Sequence, residues 1–260
     1  MEKSPVITLT TDLGDKDPYL PAAKGKIASD FPSANIIDIS HQIAPFDIGE
    51  AAYILKNCFR NFPSGTIHII SLSSGEAGKR PPFIITYLRE QYFIGADNGV
   101  IALLDEEPPE SVYEIKDQNK AGVFPLKDLL VPAGCMLLKG YSPDQIGKKQ
   151  ESIRVRRPVK PLIHDKTIRG TVIYIDRFGN AITNITRQDL LRFSNFNECK
   201  IHFSRKEYFE EIHSAYHEVP EGEKICIIGT NDHLEVAINR GNASQLLGIE
   251  KDHLILIEFS

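Results

Sequence analysis

The sequence predicts an α/β N-terminal domain with a largely parallel sheet, followed by a small C-terminal antiparallel β-barrel domain. Three observations predict this architecture. Strand-like and helix-like segments alternate in the first half of the chain, short strands separated by turns dominate the second half, and a basic, proline-rich stretch lies between them. Alternating strands and helices are typical of a parallel sheet covered by helices, whereas closely spaced short strands are typical of small barrels and sandwiches.

In the first half, the predicted strands are short apolar runs and the predicted helices carry apolar residues at helical spacing. Pro21 opens the first helix, where its missing N–H does no harm. Asp97-Asn98-Gly99 is a strong turn signal. In chain order the predicted elements are a strand at Val6–Thr10, a helix at Pro21–Asp30, a strand at Ile36–Ile39, a helix at Gly49–Arg60, and strands at Thr66–Leu72, Phe83–Tyr87 and Tyr92–Gly95.

The domain boundaries follow from the basic stretch. We assign residues 1–153 to the α/β domain, 154–169 to a linker and 170–260 to the β-barrel domain, because the linker combines arginines and prolines with weak periodicity. Turns such as Glu221-Gly222 separate the strands of the second domain. Those predicted strands are Thr171–Ile175, Lys200–Phe203, Lys224–Ile228, His233–Ile238 and His253–Phe259.

Composition excludes several classes of function. The net charge of −5, without a long run of one sign, argues against a nucleic-acid or anionic-membrane partner. No apolar stretch approaches the roughly 20 residues that span a bilayer, and the N-terminus lacks the apolar core of a signal peptide. The four cysteines form no CxxC pair, which predicts reduced thiols in the cytoplasm and no structural metal.

Asp12 is the first candidate for a binding role. It follows the first predicted strand, and ligands of open α/β sheets bind at the carboxyl ends of strands, above all at a topological switch point. A carboxylate there can accept hydrogen bonds from both hydroxyls of a ribose. Spacing alone leaves open that Asp12 only forms a turn or caps a helix.

Further polar turns follow other predicted strands. Asp97 and Asn98 come after one strand and serve equally well as a plain turn. Asp176, Phe178 and Asn180 open the second domain and offer a carboxylate, a stacking ring and an amide together, and an amide can read an adenine edge or a carboxylate. A small-residue loop starting at Ser73 could cradle an anion, but it lacks the spacing of a nucleotide-phosphate loop.

Taken together and in order, the motifs resemble those of the S-adenosylmethionine hydroxide adenosyltransferase family, which is related to fluorinase and chlorinase. The resemblance covers nearly the whole chain. The segments that carry it are Thr8–Asp12, Asp17–Tyr19, Lys24–Gly25, Asp38–Ile43, Phe46–Asp47, Phe62–His68, Ala96–Val100, Ile175–Asn180, Thr183–Ile185, Leu234–Ala237 and Gly241–Ala243.

The resemblance implies a homotrimer that binds S-adenosylmethionine or adenosine between one subunit's N-terminal domain and a neighbour's C-terminal domain, with no further cofactor. It implies that Asp12 holds the ribose diol and that Phe46 packs against the ligand. Asp97 and Asn98 belong to a matching motif and join the substrate-binding candidates. From the partner subunit, Asp176, Phe178 and Asn180 would face the methionine and adenine portions, and a loop containing Thr230 and Asn231 would contact adenine.

The family's reaction is displacement of L-methionine from the 5′ carbon of the ribose, and its water-using members resemble one another in an Asp-Arg-His triad. This chain departs from that triad. Arg80 keeps the spacing of the arginine, but Ser73 occupies the aspartate position and Pro125 the histidine position. Losing one acid–base group typically costs about 10²–10⁴-fold in rate.

Three accounts of the altered site remain open. The chain hydrolyses S-adenosylmethionine with Glu76 or a bound hydroxide in place of the missing groups, or it binds the nucleoside without turnover, or it uses another small nucleophile. The Ser73 hydroxyl cannot act as a carboxylate base, but it can donate to an anion. The candidate catalytic residues are therefore Arg80, Ser73 and Glu76.

Overall fold

Seven strands in the first part of the chain form one sheet, in the order β2-β1-β3-β5-β4-β6-β7. The computed structural model describes residues 4–72, 80–193, 199–204 and 207–259. The strands are β1 (Val6–Thr11), β2 (Asn35–Ser40), β3 (Ile67–Ser71), β4 (Phe83–Leu88), β5 (Gln91–Ala96), β6 (Ser111–Ile115) and β7 (Gly147–Gln150).

This sheet is mixed and largely parallel, which confirms the predicted fold class. β1 pairs in parallel with β2 on one side and with β3 on the other, and β3 pairs in parallel with β5. β4 enters antiparallel to β5 through a two-residue turn at Arg89 and Glu90, both of which adopt positive φ. Such turns normally carry glycine or asparagine, so the residues at this turn do not by themselves predict a hairpin.

Helices cover both faces of the sheet. They are α1 (Tyr19–Asp30), α2 (Ile48–Lys56), α3 (Val131–Leu138) and α4 (Pro143–Ile146). Ile7 and Leu9 of β1 pack into a cluster with α1 and α3, whereas α2 contributes to a second cluster that contains Ile70 and Phe93. The alternation of side chains along each strand therefore fills two separate cores.

Local sequence explains where two of these helices begin. Asp47 accepts a hydrogen bond from the Glu50 N–H at 3.0 Å, and this N-cap starts α2 one residue before the predicted Gly49. A π-helical turn at Leu126–Leu130 leads into α3. Pro132, near the start of α3, has no N–H to donate to the preceding turn.

The second part of the chain forms an antiparallel sheet that is nearly barrel-shaped, as predicted. Its strand order is β12-β11-β15-β9-β10-β14-β13, and β8 pairs with β9. The strands are β8 (Leu162–His164), β9 (Thr167–Ile175), β10 (Ala181–Thr186), β11 (Cys199–His202), β12 (Tyr208–Phe209), β13 (Lys224–Ile228), β14 (His233–Ile238) and β15 (Leu254–Phe259), with short helices α5 (Arg187–Leu190) and α6 (Ala243–Leu247).

The chain divides into two compact units, Met1–Arg157 and Pro158–Ser260. The division falls inside the stretch that the sequence predicts as a linker, and β8 and the start of β9 also lie in that stretch. Within the described ranges, none of the helices has the length and apolar character needed to cross a bilayer.

A polar network crosses the core of the first unit. His68 is fully buried on β3, stacks on Phe93 with ring centroids 4.7 Å apart, and its Nδ1 lies 2.7 Å from the Thr8 hydroxyl. Its Nε2 lies 2.9 Å from Gln91 Oε1, and the Gln91 amide group donates to the carbonyls of Phe59 and Phe62. Every polar atom of this network is satisfied by a neighbour, as burial requires.

Burial lowers the pKa of His68 from 6.5 to about 4. In the unfolded chain His68 binds a proton as the pH falls below about 6.5, whereas in the folded protein it does so only near pH 4. The free energy of unfolding should therefore fall as the pH falls through this window. We expect His68 alone to lower the free energy of unfolding by about 2 kcal/mol between pH 7 and pH 5. Urea denaturation at both pH values measures the loss.

The matched variants are His68→Gln and His164→Gln, since His164 lies exposed on β8. His68→Gln should remove most of this histidine's share of the pH dependence, and His164→Gln should leave the dependence as in the parent protein. An unchanged pH dependence in His68→Gln would contradict the assignment.

Candidate functional site

The carboxyl ends of β1, β2, β3 and β5 meet at one edge of the N-terminal sheet, because these strands run in parallel. The chain passes from β1 to β2 on one side and then to β3 on the other side of β1. This makes the end of β1 a topological switch point, where open α/β sheets bind ligands. Asp12 is the residue that follows β1.

The Asp12 side chain is held by the loop before α2. Asp12 Oδ2 accepts a hydrogen bond from the Phe46 N–H at 3.0 Å. Phe46 itself has a φ of 69°, and its ring is 63% exposed. A phenylalanine rarely adopts this left-handed backbone conformation, and an exposed ring gains little from burial. Such strain is often found where a side chain is presented to a ligand.

Asp97 and Asn98 lie at the same edge, after β5, and the side chain of each accepts a hydrogen bond from a backbone N–H. Asp97 Oδ1 accepts from the Arg154 N–H at 2.8 Å, and burial raises the pKa of Asp97 although this hydrogen bond opposes the rise. Asn98 is 8% exposed and its Oδ1 accepts from the Val100 N–H. Both residues shape the loop, so a direct ligand contact for them stays a prediction.

Arg80 is brought to this edge by the pairing of β4 with β5. Phe83 pairs with Ala96, and the Asp97 N–H donates to the Pro82 carbonyl. The Arg80 guanidinium donates to the Gly122 carbonyl at 2.9 Å and lies 5.9 Å from the centre of the Phe83 ring. The predicted catalytic residues Ser73 and Glu76 lie outside the described residues.

The segment that contains Pro125 lies close to the start of α1. Phe124 makes an edge-to-face contact with Tyr19 at 5.4 Å, and Pro125 precedes the π-helical turn. π-helical turns are frequent near functional sites. Pro125 has neither a side-chain donor nor an acceptor, so this position cannot supply the acid–base group that the family's histidine would.

In the second unit, Asp176 organises the turn between β9 and β10. Its Oδ1 accepts from the N–H groups of Phe178 and Asn180, both at 2.8 Å, and its Oδ2 accepts from the Asn180 amide group at 2.9 Å. This closed loop leaves the Phe178 ring 75% exposed. The structure therefore brings the three predicted residues together, with the aromatic ring presented outward.

Two residues that the sequence analysis missed extend this cluster. Asn180 Nδ2 donates to the Tyr216 hydroxyl at 3.2 Å, and that hydroxyl donates to Glu235 Oε2 at 3.3 Å. Burial raises the pKa of the Tyr216 phenol and also that of the Glu235 carboxyl, to which Asp176 adds a repulsive charge. Glu235 lies in the motif segment Leu234–Ala237, which could have pointed to it, whereas Tyr216 lies in none of the motif segments.

Thr230 and Asn231 form the turn between β13 and β14. Thr230 is exposed, Asn231 Oδ1 accepts from the His233 N–H at 3.2 Å, and Asp232 has a φ of 62°. At the preceding Gly229, an added Cβ would collide with the Glu235 carboxylate, which would have to shift. The turn thus lies against the cluster of Asp176, Asn180, Tyr216 and Glu235.

Across the described ranges, no group of three or more His, Cys, Asp or Glu side chains is placed to bind a metal ion.

Comparison with known proteins identifies the family of both units. A family model described as the SAM hydroxide adenosyltransferase N-terminal domain matches residues 7–147, and one described as the SAM hydroxide adenosyltransferase C-terminal domain matches residues 170–255. The motif resemblance found in the sequence is thereby confirmed, while the altered triad is not tested by these matches.

Individual relatives extend this match over nearly the whole chain. An (R)-S-adenosyl-L-methionine hydrolase of Methanocaldococcus jannaschii is 29% identical, covering 94% of this chain and 92% of its own. A fluorinase of Nocardia brasiliensis is 25% identical, covering 72% of this chain and 73% of its own. The crystal structure of an uncharacterized conserved protein from Thermotoga maritima superimposes with a TM-score of 0.87 at 28% identity, covering 98% of this chain and 100% of that one.

Two glycines provide a test of the Asp176 turn. Gly179 and Gly222 have nearly equal positive φ values, 84° and 87°, but an added Cβ at Gly179 would collide with the Asn242 side chain, whereas none of the described atoms lies within 4 Å at Gly222. Gly222→Ala should cost about 1–2 kcal/mol for the left-handed backbone. Gly179→Ala should cost about 1–3 kcal/mol more, because Asn242 must move.

The free energy of unfolding of each variant, measured by urea denaturation, decides between these values. Equal losses in the two variants would show that the contact between Gly179 and Asn242 does not constrain the turn.

Proposed function

Because the chain belongs to the SAM hydroxide adenosyltransferase family, we propose that it displaces L-methionine from the 5′ carbon of S-adenosylmethionine. The nucleophile is water or hydroxide, giving adenosine, or another small nucleophile, giving a 5′-substituted adenosine. The observation that carries the proposal is Asp12, a carboxylate at the switch point of the sheet, held by the Phe46 N–H. A binding protein without turnover is not favoured, since relatives that match nearly the whole chain are named hydrolases.

Asp12 has the position and charge to hold the ribose diol. A carboxylate can accept from the 2′- and 3′-hydroxyls, and hydrogen bonds to a charged group contribute about 1.5–3 kcal/mol each. The exposed Phe46 ring, fixed by its strained backbone beside Asp12, supports a role in packing against the nucleoside. Asp97 and Asn98 would shape the same pocket mainly through their loop.

The displacement places modest demands on the protein. An oxygen lone pair of water forms the bond to C5′, the C5′–S bond breaks, and sulfur keeps the bonding electrons as a neutral thioether. The attacking water releases one proton to solvent or to a nearby base. The sulfonium leaves readily, so no further cofactor is needed. The site must align the nucleophile opposite sulfur and exclude competing water.

Arg80 would act on the nucleophile. Its guanidinium, anchored to the Gly122 carbonyl, can attract hydroxide or another anion and favour the ionised form of bound water. Ser73 would donate a hydrogen bond to that nucleophile, and Glu76 would accept its proton. These three roles replace an Asp-Arg-His arrangement that Ser73 and Pro125 no longer permit.

The second unit would supply the contacts for methionine and adenine. Asp176, Phe178 and Asn180 form a compact polar turn with an exposed ring, and the turn of Thr230 and Asn231 lies against the same cluster. We propose a homotrimer in which these surfaces act on a nucleoside bound by another subunit. The free thiols of all four cysteines support a cytoplasmic location.

The first test is turnover. Incubation of the protein with S-adenosylmethionine should yield adenosine and methionine in equal amounts, and parallel incubations with fluoride or chloride should reveal whether a halogenated nucleoside forms instead. Asp12→Ala should raise KM for S-adenosylmethionine, or the dissociation constant for adenosine, by at least about 100-fold, because two charge-assisted hydrogen bonds are lost. Chromatography and calorimetry give the two readouts.

Asp15→Ala is the matched control, since Asp15 lies exposed in the same loop. It should bind and turn over like the parent protein. Tight binding of S-adenosylmethionine without any product after long incubation would overturn the proposed reaction and leave a binding protein.

The second test concerns Arg80. Arg80→Met should lower kcat by about 10²–10³-fold, the usual cost of removing one group that stabilises developing charge, while the dissociation constant for adenosine should change little. Arg60→Met is the control, because Arg60 pairs with Asp105 beside the turn between β4 and β5, at the opposite edge of the sheet. An Arg80 variant with the parent kcat would exclude Arg80 from the reaction.

A further inference from the structure

A chain of four side chains ends beside Asp12. Lys24 Nζ lies 2.6 Å from Asp38 Oδ2, Asp38 Oδ1 lies 3.0 Å from His41 Nε2, and His41 Nδ1 lies 2.9 Å from the Thr11 hydroxyl. Thr11 is fully buried and His41 is 9% exposed, whereas Asp38 is half-exposed. The chain therefore runs from a surface ion pair to the residue that directly precedes Asp12.

The ring of His41 lies between Thr11 and Asp38, with one nitrogen toward each. The Thr11 hydroxyl, which contacts Nδ1, also accepts a long hydrogen bond from the Leu13 N–H at 3.4 Å. The other nitrogen, Nε2, lies within ion-pair distance of the Asp38 carboxylate but has no hydrogen-bond partner among the described residues. Lys24 and His41 together keep the pKa of Asp38 below its usual value, although partial burial opposes them.

An irregularity in β2 brings these groups together. Leu9 pairs with Asp38, but Thr10 pairs with Ser40, so Ile39 is an extra residue in the pairing of β1 with β2. A bulge of this kind redirects the side chains that follow it and is frequent next to active sites. Here it precedes His41, whose ring reaches back to Thr11.

His41 also contacts the other side of Asp12. Its backbone carbonyl accepts from the Gly14 N–H at 2.8 Å. The ring of His41 thus fixes the residue before Asp12, and the carbonyl fixes the turn after it. With the Phe46 N–H on Oδ2, the Asp12 carboxylate is constrained through its backbone and through its side chain.

We infer that His41 is a positioning residue that, together with Thr11 and Asp38, fixes the Asp12 carboxylate for the ribose hydroxyls of the substrate. The inference rests on the proposed function of Asp12. His41, Thr11 and Asp38 do not touch the substrate themselves. They determine how well Asp12 recognises the diol.

A matched pair of substitutions on β1 separates positioning from plain packing. Thr10 and Thr11 are both fully buried. The Thr10 hydroxyl has no hydrogen-bond partner among the described residues, whereas the Thr11 hydroxyl bonds His41. Thr10→Val and Thr11→Val make the same isosteric change next to each other, and only the second breaks the chain to His41. Thr11→Ser keeps the hydroxyl and should rescue the effect.

The readout is discrimination between adenosine and 2′-deoxyadenosine. Calorimetry gives it as the dissociation constant of 2′-deoxyadenosine divided by that of adenosine. Loss of positioning should weaken adenosine binding more than 2′-deoxyadenosine binding, because only adenosine has the full diol. We expect Thr11→Val and His41→Ala to reduce the ratio about 10-fold, and Thr10→Val and Thr11→Ser to keep the parent ratio. A merely structural defect would weaken both ligands by the same factor.

Asp38→Ala keeps the test informative if the variants of buried residues fail to fold, because Asp38 is half-exposed. It should reduce the ratio in the same direction. If the parent protein prefers adenosine while Thr11→Val, His41→Ala and Asp38→Ala all keep that preference, the positioning role is overturned and the role of Asp12 survives. If the parent protein shows no preference for adenosine, the ribose contact of Asp12 is itself wrong, and the positioning role falls with it.

Discussion

The parallel pairing of β1 with two neighbours is the constraint on which the N-terminal unit depends. β1 lies between β2 and β3. The connection that leaves β1 leads to β2 on one side, whereas the connection that leaves β3 leads to β4 on the other side. This divergence opens the edge of the sheet at the end of β1. Asp12, the loop containing Phe46, and the end of β5 that precedes Asp97 all take their places from that one arrangement.

Buried polar groups on and beside β1 fix the register in which this strand pairs with its neighbours. Thr8 contacts His68 within one face of the sheet, and Thr11 contacts His41 at its end. A shift of one residue would separate both pairs and leave buried donors or acceptors unsatisfied, at a cost of about 1–3 kcal/mol for each group. Buried polar contacts therefore select one register where apolar packing alone would tolerate others.

The C-terminal unit builds its polar cluster by close approach of backbone and side chains. Gly179 lies against Asn242, and Gly229 lies against the Glu235 carboxylate, so a side chain added at either position would displace its neighbour. These approaches hold the turn of Asp176 and the turn of Asn231 beside Tyr216 and Glu235. The reaction proposed for this family needs orientation more than acid–base strength, because the sulfonium is already a good leaving group. Rigid turns suit the proposed role of these residues in binding a nucleoside.

The sequence by itself determined the two-part architecture, most strand positions and the family, because apolar periodicity and ordered motifs are local properties of the chain. It also marked Asp12 and the turn from Asp176 to Asn180. Only the tertiary structure decided that Asp97 bonds the Arg154 amide and that Phe46 adopts a left-handed backbone conformation. The contacts of His41 with Thr11 and of Tyr216 with Glu235 likewise join residues that are distant in sequence or that depend on a bulge. Such contacts arise from register and close approach, which no local pattern encodes.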